Sequence, residues 1–229
     1  VNQASSVKEP GVVVVVPLYN EESVIADVVS SLRSHFSTVI CIDDGSSDNS
    51  AQVAEAAGAD VISHPFNLGQ GAALQTGIVW ARSRPTTEYM VTFDGDGQHR
   101  VEDVVDMLAL AREKNLAIVF GSRFLDRRTK PGFAKKTVLK VAVLITRVVT
   151  GLKLTDAHNG LRVIRRDALD HVNLIQDRMS HATEIVQQLA RSKKRWREHP
   201  VEVLYTDYSK KKGQSLLNSI NILFDLIVR

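Results

Sequence analysis

The sequence holds a single cysteine, Cys41, so no disulfide can form within the chain. A reducing, cytoplasmic setting is the expectation. Cys41 lies in the apolar run Val39-Ile40-Cys41-Ile42 and reads as a buried, inert thiol rather than a nucleophile. Long hydrophobic runs are also missing. No uninterrupted apolar stretch approaches the roughly 20 residues of a membrane span, and the best candidate, residues 138–149, is broken by Lys140 and Arg147. The first residues are polar, without the pattern of a signal peptide. Charge of one sign is not in large excess: the net charge of +3 is too small to argue for nucleic acid. No internal repeat or low-complexity tract interrupts the chain, and its 229 residues suffice for one full core.

What is present is a rhythm. Residues 12–16 are a β-branched run ending at Pro17, as in a strand buried on both faces. A helix opened by Asn20-Glu21-Glu22 carries Val24, Ile25, Val28, Val29 and Leu32 at helical spacing. Strands are expected at 38–42, 60–63, 89–93 and 116–120. Helices should lie between them: one capped by Ser46 or Ser47 and stopped at Gly58, one over 70–82 and one over 101–111. The alternation predicts an α/β fold with a mostly parallel, doubly wound sheet and helices on both faces. After Gly121 the rhythm changes. A basic-apolar helix is expected over 134–149, an irregular stretch over 155–165, a helix near 182–190, a strand over 201–205, a basic loop over 207–214 and a final amphipathic helix.

In open α/β sheets, ligands bind beyond the carboxyl ends of the strands, and the polar residues collect there. The fourth strand runs into Asp94-Gly95-Asp96-Gly97-Gln98-His99. Two carboxylates this close repel unless a cation neutralises them. Mg²⁺ and Mn²⁺ take oxygen ligands, often one or two carboxylates plus substrate phosphate oxygens. Gly95 and Gly97 would let a diphosphate approach the backbone, and Gln98 or His99 could complete the shell. The plainer alternative is a polar turn without a metal. Asp43-Asp44-Gly-Ser-Ser-Asp48 offers carboxylates to a base or ribose, or is turn and capping chemistry alone. Asn67-Leu-Gly-Gln-Gly71 opens a helix whose N–H groups suit an anion. It has neither dinucleotide nor P-loop spacing.

The ordered set is more specific than its parts. It comprises Val-Pro-Leu-Tyr-Asn-Glu-Glu at 16–22, Asp-Asp-Gly-Ser-Ser-Asp at 43–48, Asn-Leu-Gly-Gln-Gly-Ala at 67–72, Asp-Gly-Asp-Gly-Gln-His at 94–99 and Gly-Ser-Arg at 121–123. It resembles the family-2 glycosyltransferases of GT-A fold, closest to the branch that includes dolichol-phosphate mannose synthase and bacterial polyprenyl-phosphate glycosyltransferases. The resemblance implies that Pro17, Tyr19, Asn20 and Glu21 line the nucleoside, with Glu21 near the ribose. Asp43 and Asp44 would reach the base or ribose. Asn67, Gly71, Asp94 and Gly95 would complete the nucleotide-sugar site, and Asp94, Asp96 and Gln98 would surround Mg²⁺ or Mn²⁺. Arg123 lies where the branch places a cation near a phosphate. The segment from Thr155 to Arg162 is similar to the family's Asp-x-x-x-Gly-x-Arg element beneath the acceptor, or is a structural turn. Residues 181–184 are similar to a later acidic segment where hydroxyl-acceptor members carry a base. There Glu184 is a base candidate or a structural carboxylate.

The expected organisation is one catalytic domain over 1–229, with a nucleotide-sugar half at about 10–123 and an acceptor half at about 124–229. The expected reaction is inverting transfer from a nucleoside-diphosphate sugar, with Asp96 and Arg123 at the reacting centre. The leading acceptor is a polyprenyl phosphate, which needs cations rather than a base. Arg123, Arg162, Lys210, Lys211 and Lys212 could supply them. Residues 133–149 would then suit a helix in an anionic membrane interface, giving peripheral membrane contact, or form a core helix with a wet face. The runner-up is a saccharide or other hydroxyl acceptor, with Asp156 or Glu184 as base. Two further classes are a nucleotidyltransferase, disfavoured because no glycine-rich basic loop follows the first strand, and a non-catalytic nucleotide-binding protein.

Overall fold

The computed structural model describes residues 8–126, 151–156, 159–176 and 180–204. The expected helix at 134–149, the lysines 210–212 and the final amphipathic helix lie outside these residues.

The strands are β1 (Glu9–Leu18), β2 (Phe36–Asp43), β3 (Asp60–Ser63), β4 (Tyr89–Thr92), β5 (Ile118–Ser122), β6 (Arg162–Arg165) and β7 (Trp196–Pro200). The helices are α1 (Ile25–His35), α2 (Ser50–Ala56), α3 (Gln70–Ser83), α4 (Val101–Glu113), the single turn α5 (Arg166–Leu169) and α6 (His181–Arg191). The sheet order is β3-β2-β1-β4-β6-β5-β7. β3, β2, β1 and β4 run parallel, β6 is antiparallel to both β4 and β5, and β7 is parallel to β5. The chain reverses its direction of winding between β1 and β4, so the crevice at this switch point opens between Pro17-to-Glu21 and Asp94-to-Asp96.

Because side chains alternate across a strand, β1 feeds two cores. Val12, Val14 and Val16 face one layer with Val28, Val29 and Leu32 of α1 and Val104, Met107 and Leu108 of α4. Val13 and Val15 face the other with Leu74 and Ile78 of α3 and Ile185 and Leu189 of α6. Fully burying each such side chain is worth about 1.5–3 kcal/mol. Gly77 allows α3 to lie close on β1, since a Cβ there would come within 2.2 Å of Val15 Cγ1. Cys41 is buried as expected, and burial, reinforced by Asp43, pushes its thiol up to about 12.

Three expectations shift. Segment 155–165, expected to be irregular, contains β6. Its four residues Arg-Val-Ile-Arg hide their strand character behind flanking charge, and Arg162 itself is buried. The last strand among the described residues is Trp196–Pro200, while 201–204, where the Val-Glu-Val alternation placed a strand, form none. Residues 201–204 instead lie against the loop after β4, through the His99–Val203 bridge and the Leu204 N–H to Gln98 carbonyl bond (2.9 Å). α2 starts at Ser50, because Ser46, Ser47 and Asp48 are engaged with the loop after β1. Among the described residues, no helix is long and apolar enough to cross a membrane.

Candidate active site

The loops after β1 and β2 are zipped together. Leu18 pairs with Asp43 in register, and the Asp44 N–H donates to the Leu18 carbonyl (2.8 Å). Beyond them, Asn20 N–H donates to Ser46 Oγ (2.9 Å) and Glu21 N–H to Ser50 Oγ (2.7 Å). Asn20 Oδ1 accepts from Ser47 N–H (2.9 Å), and Asn20 adopts a left-handed φ of 52°. Glu22 closes the zip by accepting from the amide of Asn49 (2.9 Å). Pro17 and the buried Glu21 thus share one wall with Asp43, whose Oδ1 accepts from Ser46 N–H (3.2 Å). Tyr19 is 44% exposed at the rim, as are Phe66 (63%) and Leu68 (40%) on the neighbouring loop. Sequence reasoning missed these last two, because an exposed apolar residue in a loop carries no periodicity.

Asp44 is the residue whose expected role changes most. It is 2% exposed, and its carboxylate accepts from His64 Nδ1 (2.8 Å), Leu68 N–H (3.0 Å) and Gly69 N–H (2.7 Å). It therefore fixes the loop leading into α3 rather than offering free oxygens to a base or ribose. Two amides expected to be available to an anion, those of Leu68 and Gly69, are already occupied by it. Asn67 remains exposed beside them, and Gly71 is buried in the first turn of α3.

At the switch point, Asp94 accepts from His99 Nε2 (2.9 Å) and Gln70 Nε2 (3.3 Å). It rests on the backbone of Gly160, where a Cβ would come within 2.1 Å of Asp94 Oδ2. Gly95 is close-packed on the Pro17 carbonyl, 3.2 Å from a Cβ built there. Burial alone would raise the Asp94 pKa, but His99, Arg162 and His181 outweigh it and hold the carboxylate below its ordinary range. Asp96 moves the other way. Burial, the charge of Asp94 and more weakly that of Glu21 push it up to about 6, although Gln98 N–H donates to it (3.0 Å). An acidic pair with one member raised by burial and by its neighbour's charge suits a divalent cation. Among the described residues, no three His, Cys, Asp or Glu side chains gather into a complete metal cage. Two carboxylates are within the ligand set that Mg²⁺ or Mn²⁺ takes beside phosphate oxygens and water. His99 stands behind Asp94 and orients it, packed edge-on against Phe93 with centroids 5.6 Å apart.

The acceptor-side candidates form a buried network instead of a free cluster. Arg123 makes a bidentate pair with Asp156, Nε to Oδ2 (2.6 Å) and Nη2 to Oδ1 (2.7 Å). Asp156 is 3% exposed. Its segment is pinned to β7, because Glu198 accepts from the N–H groups of Thr155 (2.7 Å) and Asp156 (3.2 Å). Arg162 pairs with Thr92 of β4 and Phe120 of β5 and is 3% exposed. It donates to the Gly160 carbonyl (3.3 Å), as does Thr92 Oγ1 (2.5 Å). Burial pulls its guanidinium down to about 10, and the charges of Asp94 and Asp156 oppose that shift. Arg162 is thus an internal counter-ion to the two aspartates, not an exposed phosphate ligand. Glu184 accepts from Gln176 N–H (2.9 Å), Ile175 N–H (3.1 Å) and Gln188 Nε2 (3.0 Å), which ties the segment before α6 to that helix. Both carboxylates that the sequence offered as base candidates, Glu184 and Asp156, thus accept hydrogen bonds from neighbouring segments, the arrangement of the structural alternative.

The sequence model for glycosyl transferase family 2 matches residues 13–172. The chain belongs to this family. Among its relatives, it is 27% identical to the UDP-N-acetylglucosamine–dolichyl-phosphate N-acetylglucosaminyltransferase of Methanococcus voltae, over 93% of this chain and 94% of that protein. It is also 27% identical to the undecaprenyl-phosphate 4-deoxy-4-formamido-L-arabinose transferase of Shewanella sediminis, over 93% of this chain and 65% of that one. The fold matches the glucosyl-3-phosphoglycerate synthase of Mycobacterium tuberculosis, solved with Mn²⁺ and UDP-glucose. The TM-score is 0.65 and the identity 19%, over 95% of this chain and 79% of that one. The α/β architecture of this glycosyltransferase is accordingly of GT-A type.

Proposed function

We propose that the protein transfers a sugar, with inversion, from a nucleoside-diphosphate sugar to a polyprenyl phosphate at the crevice between β1 and β4. The observation that carries the reading is the Asp94/Asp96 pair at the switch point, flanked by the zipped loops after β1 and β2. The names of the relatives from Methanococcus voltae and Shewanella sediminis support the lipid-phosphate acceptor, and the solved neighbour with Mn²⁺ and UDP-glucose supports a divalent cation.

Asp94 and Asp96, with Gln98, would hold Mg²⁺ or Mn²⁺. When bound, such an ion neutralises the leaving diphosphate and orients it. The chain's own residues do the rest. Pro17, Tyr19, Asn20 and Glu21 line the nucleoside with Asp43, and Phe66 adds an exposed aromatic face beside them. Gln70 and His99 fix the orientation of Asp94. Arg123, held by Asp156, would face the acceptor side in this reading and share its charge with an anionic acceptor. A phosphate is already ionised at neutral pH, so no residue need take its proton. That agrees with Asp156 and Glu184 being held by structural bonds. Lys210, Lys211 and Lys212 are the further cations of this reading, and the site of action is the membrane face that presents the lipid.

The test is a screen of UDP- and GDP-sugars with Mn²⁺ or Mg²⁺, with and without polyprenyl phosphate. Transfer only when the lipid phosphate is present supports the assignment. Transfer to saccharide hydroxyls with no response to the lipid overturns it.

A further inference from the structure

We propose that His64 is a positioning residue for the donor site, acting through Asp44 on the entry to α3. The inference rests on the reading that the loops at 43–48 and 67–71 line the nucleoside diphosphate. Its own basis is a closed chain of hydrogen bonds. His64 follows β3, and its N–H donates to the Asp43 carbonyl (2.8 Å). The side chain is only 9% exposed. One ring nitrogen, Nδ1, meets Asp44 Oδ1 (2.8 Å) and the other, Nε2, meets Thr76 Oγ1 (2.9 Å). An ionised carboxylate only accepts, so Nδ1 is the donor to Asp44, while Nε2 shares a hydrogen bond with the threonine hydroxyl, which can donate or accept.

The chain continues to the metal pair. Asp44 gathers the Leu68 and Gly69 amides (3.0 and 2.7 Å), and the next residue, Gln70, donates to Asp94 (3.3 Å). Thr76 and Gln70 are both in α3, so the circuit fastens the first half of that helix to the ends of β2 and β3. There is little slack. Gly45 has a φ of +71°, and a Cβ there would lie 2.6 Å from the Phe66 carbonyl carbon. Two loops that share one wall of the donor site are thus held by a largely buried imidazole with both ring nitrogens engaged within the protein. Losing it would leave Asp44 Oδ1 with the Leu68 amide alone and free the 67–69 loop to shift.

The experiment measures two quantities on the same proteins. These are amide exchange at Leu68 and Gly69 by NMR, and affinity for UDP and for GDP, each with Mn²⁺, by calorimetry. In His64→Ala, both amides should exchange faster and nucleotide affinity should fall roughly tenfold or more, the scale of a hydrogen bond to a charged group. His64→Asn, whose amide can replace Nδ1 as donor, should restore both. Thr76→Val, which removes only the far bond, should weaken both partially and keeps the test open if His64→Ala does not fold. Faster exchange with unchanged affinity overturns the proposal, as does an asparagine variant no better than alanine. Failure of the wild type to bind either nucleotide would instead strike the donor-site reading, and the positioning role with it.

Discussion

Asp94 and Asp96 are one glycine apart, yet their surroundings move them in opposite directions, and this asymmetry has a measurable consequence. Asp96 is raised to about 6 in the folded protein from an ordinary 3.8. Between those values the folded chain holds a proton that the unfolded chain has released. Ionised Asp96 therefore costs stability, fully so above about pH 6 and not at all below about pH 4. Asp96→Asn should stabilise the metal-free protein by roughly 1–3 kcal/mol at pH 8 while abolishing transfer. Thermal melts in chelator from pH 4 to 8 check this, and the gap between variant and wild type should close as the pH falls. A gap of the same size at both ends would mean that neither burial nor Asp94 raises Asp96. Arg162 makes the complementary case. It is a buried cation between Asp94 and Asp156, so Arg162→Met should lower stability by about 3–5 kcal/mol, as expected when one partner of a buried charge group is removed. Urea unfolding provides the measurement. The acidic pair was legible in the sequence because both residues and both glycines are adjacent. The roles of Asp44, His64 and Arg162 were not. Their partners lie 20 or more residues away in Asp44–His64, or arrive on the strand β6 that local pattern did not reveal.

At the scale of elements, the strands and helices up to β5 were legible from apolar runs, period and flanking cap or stop residues, although α2 starts at Ser50, later than its serines suggested. β6 and β7 did not, because they are short and charged, and their pairing is set by neighbours far along the chain. Their insertion places Gly160 under Asp94. Gly160→Ala should therefore displace the carboxylate and weaken Mn²⁺ binding strongly, as read by calorimetry, with the rest of the sheet intact. Gly77→Ala is the control at a distance. It should lower stability by about 1–3 kcal/mol through overpacking against Val15 and leave Mn²⁺ affinity of the folded protein nearly unchanged. The same scale separates the two acceptor chemistries. Glu184 is bonded to the segment before α6, so Glu184→Gln should lower thermal stability while costing less than about tenfold in turnover. A general base would cost roughly 10²–10⁴-fold. Steady-state rates with one donor decide between these outcomes.

For the whole molecule, the sheet order puts the loops after β1 and β2 on one side of a crevice and the acidic pair after β4 on the other. That arrangement was legible from the sequence as a set of polar strand ends, though the order of the strands was not. It allows a nucleoside on one wall, a cation-bound diphosphate at the switch point and an anionic acceptor beyond Gly160 and Arg123. The central claim is that these three meet in one reaction. It is tested most directly by following radiolabelled sugar from UDP- or GDP-sugar donors into the organic phase, with polyprenyl phosphate and Mn²⁺, in wild type and Asp94→Asn. The account predicts transfer that needs the lipid phosphate, stops on chelation and is lost in Asp94→Asn. Lipid-independent transfer to a hydroxyl acceptor, or full activity of Asp94→Asn in chelator, would contradict it.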